Sequence, residues 1–135
     1  MIKTAKLSKE LVVTVVNKIG ILADMSKIIS DHGLNIEAVA GYAADNQAKV
    51  MIVTDDNLRA EGALRKAGYN SIKESEVIVI DLENKPGALR QITSSLAAAG
   101  IDIKQVYGTA CTAGCPAKIV LSTNNNEKAF LIFKK

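Results

Sequence analysis

Two short loops carry residue types that could bind a small charged molecule. Asn17–Gly20 reads Asn-Lys-Ile-Gly, and 67 residues later Asn84–Gly87 reads Asn-Lys-Pro-Gly. In each loop the glycine comes just before a predicted helix, whose first amides lack intrahelical partners and attract carboxylates. Asparagine side chains both donate and accept hydrogen bonds, so Asn17 and Asn84 could hold the ammonium and carboxylate ends of an amino acid.

Each loop also has a simpler interpretation. Either could be a tight turn in which asparagine caps the following helix, with Pro86 stiffening the second turn. Taken alone, a loop of this kind favours that interpretation. Its repetition favours a binding role, because a functional account must explain why the same loop occurs twice.

The two cysteines, Cys111 and Cys115, lie in one predicted hairpin. A zinc site needs four ligands, and no third cysteine stands at the spacing of an iron–sulfur motif. A redox pair and a partial metal site are therefore less favoured than two free thiols in a loop. A reversible disulfide is the next interpretation.

Other polar residues are explained by helix ends. His32 stands at the end of one predicted helix, where it would act as a cap, and Asp55 and Asp56 precede another, where they would cap its start. The sequence contains no Ser-His-Asp set, phosphate-binding glycine loop or metal cluster. We therefore expect a protein that is not an enzyme and has no cofactor.

The amino-acid composition limits the classes of binding partner that we expect. Of the 135 residues, 48% are hydrophobic and 23% are charged, which is typical of a soluble globular protein. The net charge of +3 is spread along the chain, and only 4% of residues are aromatic, so a nucleic-acid partner is not expected. We find no apolar run long enough for a membrane span and no export leader, and we expect a cytoplasmic location.

The elements around the loops also occur twice. Apolar periodicity predicts a first copy with strand Glu10–Asn17, helix Ile21–His32, strands Leu34–Tyr42 and Ala48–Thr54, a helix ending at Gly68 and strand Tyr69–Glu76. The second copy has Val77–Glu83, Ala88–Ala99, Ile101–Ala110, Ala117–Thr123 and Asn126–Lys134. This order predicts an α+β fold with helices on one face of an antiparallel sheet.

The repeat divides the chain into modules at residues 1–75 and 76–135. The second copy has no strand after its last helix. We expect residues 1–8 to complete its sheet, because Ile2–Leu7 precedes the first central strand as Tyr69–Glu74 precedes the second. An unpaired sheet edge would otherwise be left open.

The second copy reads strand, Asn-Lys-Pro-Gly-Ala-Leu, helix, Gly-Ile-Asp-Ile, strand. On a βαββαβ frame present twice, this pattern resembles the ACT domain family over essentially the whole chain. ACT domains are small-molecule-sensing modules known from the regulatory parts of amino-acid-metabolism enzymes. The resemblance implies two ferredoxin-like modules side by side, with amino acids bound at the interface between modules.

The resemblance also implies ligand contacts from each loop and from the start of each copy's second strand. These are Asn17, Ile19, Gly20, Ile21, Leu22 and Asn35 in the first copy, and Asn84, Pro86, Gly87, Ala88, Leu89 and Asp102 in the second. Ile19 stands where proline is usual, and Asp102 stands where the first copy has Asn35. A negative charge at 102 would repel a ligand carboxylate or attract its ammonium, so the two sites need not be equivalent.

We therefore expect a regulatory protein that binds a free amino acid with an aliphatic or aromatic side chain. It would form a homodimer and act allosterically through an enzyme or regulator partner. The alternative is a ligand-free protein-interaction or dimerisation module that uses exposed sheet edges.

Overall fold

The computed structural model describes residues 2–110 and 114–134, and the chain divides into two compact units. One unit is Lys9–Ser75, called here the first module. The other combines residues 1–8 with residues 76–135 and is called the second module. Two long strands, β1 (Ile2–Val16) and β4 (Ile72–Leu82), contribute residues to both units.

The first module has the predicted order of strand, helix, strand, strand, helix, strand. After the second half of β1 come α1 (Ile21–Asp31), β2 (Ile36–Ala44), β3 (Gln47–Thr54), α2 (Asn57–Lys66) and the start of β4. The strand order is β2-β3-β1-β4, and β3 is antiparallel to β1 and β2. The predicted ferredoxin-like α+β fold is confirmed.

The second module repeats this frame. The rest of β4 is followed by α3 (Ala88–Ala98), β5 (Ile103–Thr109), β6 (Ala117–Thr123) and α4 (Asn126–Phe133). The first half of β1 lies beside β4 in the strand order β1-β4-β6-β5. Ile2 and Ala5 pack against the core of this module, and Thr4 Oγ1 donates to Asp81 Oδ2 at 2.9 Å.

Each core lies between one face of the sheet and two helices. The first helix of each module buries a stripe of residues four apart, Ile21, Met25 and Ile29 in α1 and Ala88, Ile92 and Leu96 in α3. Leu22 and Leu89 are the second residues of these helices. Each is 49% exposed, because the residue before it occupies the core position and turns the leucine to the flank of the helix.

A hydrogen-bonded junction joins the third strand of each module to its second helix. In the first module the N–H and hydroxyl of Thr54 both donate to Asn57 Oδ1, at 3.0 and 2.7 Å. The Asn57 amide also donates to the Lys9 carbonyl at 2.8 Å, which ties the junction to β1. Thr123 and Asn126 repeat the junction in the second module.

Of the three residues predicted as helix caps, Asp56 and His32 are confirmed, whereas Asp55 Oδ1 instead accepts a hydrogen bond from the Asn35 N–H. The Asp56 carboxylate accepts a hydrogen bond from Arg59 N at 3.2 Å and caps the start of α2. His32 Nδ1 lies 2.8 Å from the Ile28 carbonyl oxygen at the end of α1. The longest helices have 11 residues. No helix in the described part of the chain is long and apolar enough to cross a bilayer.

The cysteine prediction needs one correction. Cys111 lies outside the described residues, but Cys115 takes part in a disulfide, so the expectation of a free thiol is wrong for Cys115. Spacing along the sequence does not decide between thiol and disulfide, because the bond depends on the backbone geometry of the hairpin.

One glycine in each module marks a close approach between strands. Gly41 in β2 and Gly108 in β5 hold equivalent positions. A Cβ added at Gly108 would lie 2.8 Å from the Lys118 carbonyl oxygen and would overlap the Ile119 side chain. At Gly41 the nearest atom would be the Lys49 carbonyl oxygen at 3.4 Å. A side chain therefore fits at position 41 but not at 108.

We predict that Gly108→Ala lowers the free energy of unfolding by about 1–3 kcal/mol, the usual cost of overpacking. Gly41→Ala is the matched control and should change it by less than about 1 kcal/mol, because its Cβ has room. Urea unfolding measures both. A Gly108→Ala variant as stable as the wild type would show that β5 and β6 are not closely apposed.

Deletion of residues 2–7 should destabilise the second module, because β4 loses its neighbour and Ile2 and Ala5 leave the core. Hydrogen exchange should accelerate at the β4 amides of residues 77–82, while β3 amides of the first module stay protected. The control is Lys3→Gln with Lys6→Gln, which changes exposed side chains and keeps the strand. Unchanged exchange in the deletion variant would contradict the role of this strand.

Candidate functional site

Both repeated loops end in a glycine with left-handed backbone. Gly20 has φ 90° and Gly87 has φ 89°, a conformation that costs an L-residue about 1–2 kcal/mol. Glycine holds the N-cap position of both α1 and α3, and no side-chain cap is present there. The Asn17 side chain makes no hydrogen bond with the described residues, so the interpretation of Asn17 as a helix cap is wrong. A glycine turn directs the chain into each helix.

This turn leaves helical amides available at the start of α1. The N–H of Asp24 donates to the Gly20 carbonyl at 2.9 Å. The N–H groups of Leu22 and Ala23 have no hydrogen-bond partner within the described residues. Such amides carry the positive end of the helix dipole and can bind an anion.

A cavity of about 470 Å³ opens beside this end of α1. Its lining consists of Asn17, Lys18, Gly20, Ile21 and Leu22, residues 39–43 of β2, and Ala48, Lys49 and Val50 of β3. Gly41 has no side chain, which leaves the floor of the cavity open above β2. The cavity therefore joins the loop, the helix start and the edge strand within one module.

The polar and apolar parts of the lining are distinct. The Asn17 side chain makes no hydrogen bond with the described residues, although its backbone N–H donates to the Asn46 carbonyl at 2.7 Å. Lys18 forms no ion pair within the described residues. Leu22 and Val39, 49% and 45% exposed, supply apolar walls. A ligand with a charged end and an apolar end would match this arrangement.

Four of the six residues predicted in the first copy line this cavity, namely Asn17, Gly20, Ile21 and Leu22. Ile19 does not line it and is fully exposed. Asn35 follows the far end of α1, about 16 Å along an 11-residue helix, and its N–H donates to Asp55 Oδ1 at 3.0 Å. Within the first module, Asn35 is therefore separated from the loop.

The six predicted residues of the second copy are similarly divided. Asn84, Pro86 and Gly87 lie before α3, Ala88 is buried in the core and Leu89 is half-exposed. Asp102 follows the far end of α3. Its N–H donates to Asn124 Oδ1 at 3.1 Å, and its carboxylate lies 2.8 Å from Lys104 Nζ.

Sequence reasoning missed the strand residues of the cavity. Val39, Gly41 and Ala43 pair with Ile52, Val50 and Ala48 of β3. Val50 and Ile52 are core residues, so the three β2 residues face the same helix layer. Strand alternation would have identified them once the pairing of β2 with β3 was known.

A second cavity of about 510 Å³ lies on the other flank of α1, and Lys18 borders both. There the Tyr69 hydroxyl donates a hydrogen bond to the Asp24 carboxylate. Burial, followed by this hydrogen bond, raises the pKa of Tyr69 to about 12. The contact links the start of α1 to the segment before β4.

Neither cavity resembles a metal centre. Among residues 2–110 and 114–134, no group of three His, Cys, Asp or Glu side chains is placed to hold a metal ion. The cavity beside the loop offers hydrogen bonds, the positive charges of Lys18 and Lys49, and apolar contact.

The sequence matches the family described as ACT domain pair over residues 5–135. A comparison with curated proteins finds no match. A protein from Bacteroides thetaiotaomicron has a similar structure, with a TM-score of 0.87 and 24% identity over 96% of this chain and 88% of that chain. The regulatory subunit of aspartate kinase from Thermus thermophilus has a TM-score of 0.69 and 10% identity over 98% of this chain and 96% of that one. At these identities both structures show the fold.

Tyr69→Phe should lower the free energy of unfolding at pH 7 by about 1 kcal/mol, because it removes the hydrogen bond to Asp24. The neutral phenol is favoured in the folded state, so its contribution is complete below pH 10 and is lost as the pH rises towards 12. Urea unfolding at several pH values measures the difference between wild type and variant.

Tyr42→Phe is the control for this substitution, since the Tyr42 hydroxyl has no hydrogen bond within the described chain. An ultraviolet absorbance titration should show a tyrosine ionising near pH 12 in the wild type that is missing in Tyr69→Phe. If the tyrosine lost in Tyr69→Phe instead ionised near pH 10, the ordinary value, the raised pKa would be excluded.

Proposed function

Because the chain belongs to the ACT domain pair family, we propose that it is a regulatory protein that binds a free amino acid in the cavity of the first module. One observation carries the proposal. Uncapped helical amides, Asn17 and an apolar wall border one cavity of about 470 Å³. Small-molecule sites commonly measure about 300–1,000 Å³.

The charged ends of the ligand are assigned to the loop. Its carboxylate accepts hydrogen bonds from the N–H groups of Leu22 and Ala23, which have no partner in the described chain. The Lys18 ammonium adds a positive charge on the same side. The Asn17 side-chain oxygen accepts a hydrogen bond from the ligand ammonium.

The side chain of the ligand is assigned to the apolar part of the cavity. Leu22 and Val39 form the walls, and Gly41 and Val50 form the floor. An aliphatic or aromatic side chain gains free energy there in proportion to the apolar area removed from water. The lining has no acidic side chain to pair with a basic ligand, and its walls and floor are apolar, so we propose an apolar amino acid.

The proposed role is regulatory, in line with the ACT domain pair family and with the residue types of the lining. The lining includes no carboxylate, histidine, serine or cysteine side chain to act together with its lysines and Tyr42. A bound amino acid would instead favour the conformation or assembly that holds it best. Its differential affinity for two states would then be transmitted to an enzyme or regulator partner.

One observation favours the alternative of a ligand-free interaction or dimerisation module. Ile19 is fully exposed, and Leu22, Val39 and Tyr42 are about half exposed around the same cavity. A cluster of exposed apolar side chains often marks a protein contact. In that case the cavity would receive a side chain of a second copy, forming a homodimer.

Thermal unfolding against each of the twenty amino acids tests the proposal. A ligand at a hundred times its Kd adds about 2.7 kcal/mol, which raises the Tm of a chain of this size by several degrees. We expect this shift with one chemical group of amino acids. Asn17→Ala should abolish it, because the first loop loses the proposed ammonium acceptor.

Gln91→Ala, which removes an exposed amide from α3, is the control and should keep the shift. Sedimentation of wild type and Ile19→Asn at several concentrations tests the alternative. A dimer lost in Ile19→Asn, together with no thermal shift for any amino acid, would replace the sensor with the interaction module.

A further inference from the structure

The two modules present similar walls beside their repeated loops. Leu22 and its counterpart Leu89 are each 49% exposed. Val39 and its counterpart Val106 are 45% and 49% exposed. A difference in ligand binding between the modules must therefore come from the floor of the site or from its charges.

The floors differ by one methyl group. Gly41 pairs with Val50, and the equivalent Gly108 pairs with Ile119. A Cβ position at Gly41 lies 3.7 Å from Val50 Cγ2, whereas the equivalent position at Gly108 overlaps Ile119 Cδ1. The extra methyl group of isoleucine thus occupies, in the second module, space that is open in the first.

The charges differ as well. Lys85 Nζ lies 3.0 Å from Glu83 Oε2, so the lysine of the second loop has an acidic partner that partly offsets its charge. The residue equivalent to Glu83 in the first copy is Val16, and Lys18 forms no ion pair in the described chain. Because Lys85 is already paired with an acidic side chain, less of its charge is available to a ligand carboxylate than at Lys18.

We infer that the first module alone accepts the amino acid, and that the Val50/Ile119 and Lys18/Lys85 differences close the second site. Each chain then binds one molecule. This inference rests on the proposed function and deepens it, because it assigns occupancy to one of two sites that share the same loop.

Amide NMR spectra during titration with each of the twenty amino acids distinguish the two modules. Gly20 and Gly41 report on the first site, and Gly87 and Gly108 on the second. We expect saturable shifts at Gly20 and Gly41 alone, with a calorimetric stoichiometry of one per chain. Saturable shifts in both modules would overturn the inference while leaving the proposed function intact, whereas shifts in the second module alone would overturn both. No shift with any amino acid would overturn both.

Paired substitutions test separately the Val50/Ile119 difference and the Lys18/Lys85 difference. Val50→Ile copies the second floor into the first site and should weaken binding by roughly tenfold, as a methyl-sized overlap does. Ile119→Val is the matched control and should leave the affinity of the first site unchanged. Lys18→Gln should weaken binding by about three- to fivefold, and Lys85→Gln should not.

Val50→Ile could fail to fold, since Val50 is buried. Lys18→Gln and Lys85→Gln then still test the inference, because both lysines are exposed and their substitution should not disturb the core. Thermal unfolding without ligand identifies such a disturbance. Equal loss of affinity from Lys18→Gln and Lys85→Gln, or from Val50→Ile and Ile119→Val, would contradict the assignment of the ligand to the first module.

Discussion

The left-handed turn at Gly20 and Gly87 sets the geometry of both modules. With φ near 90°, each glycine reverses the chain from a central strand into a helix without a side-chain cap. The helix start decides which residues face the sheet, so Ile21 and Ala88 enter the cores and Leu22 and Leu89 turn to the flank. A residue with a Cβ would add strain at this point, which explains why glycine occurs in both copies.

The same turn makes the start of the helix usable for binding. Gly20 at the N-cap of α1 has no side chain, so the N–H groups of Leu22 and Ala23 remain available within the described chain. Gly41 in β2 also has no side chain, which leaves space above that strand. The left-handed glycine conformation thus does two things. It turns the chain sharply into the helix, and it leaves backbone N–H donors available at the helix start. This is why a loop that resembles an ordinary turn in the sequence can also be a binding element.

The two modules share the same arrangement of strands and helices but differ at the surfaces beside the repeated loops. Junctions at Thr54–Asn57 and Thr123–Asn126 have the same hydrogen bonds, because they hold strand, helix and central strand together in each module. The positions beside the loops are under no such requirement. There Val50 and Ile119 differ by one methyl group, and Lys85 has an acidic partner whereas Lys18 has none among the residues that the structure describes.

The sequence by itself determined the order of elements, the repeat, the cap at Asp56 and the loop at the start of each helix, because these follow from periodicity and local backbone preference. The tertiary structure decided which β2 residues border the cavity, that Ile19 faces solvent, and that Asn35 lies at the other end of α1. These outcomes depend on strand register and on the direction of each helix. The contact between Tyr69 and Asp24 likewise joins residues far apart in the chain, which no local pattern specifies.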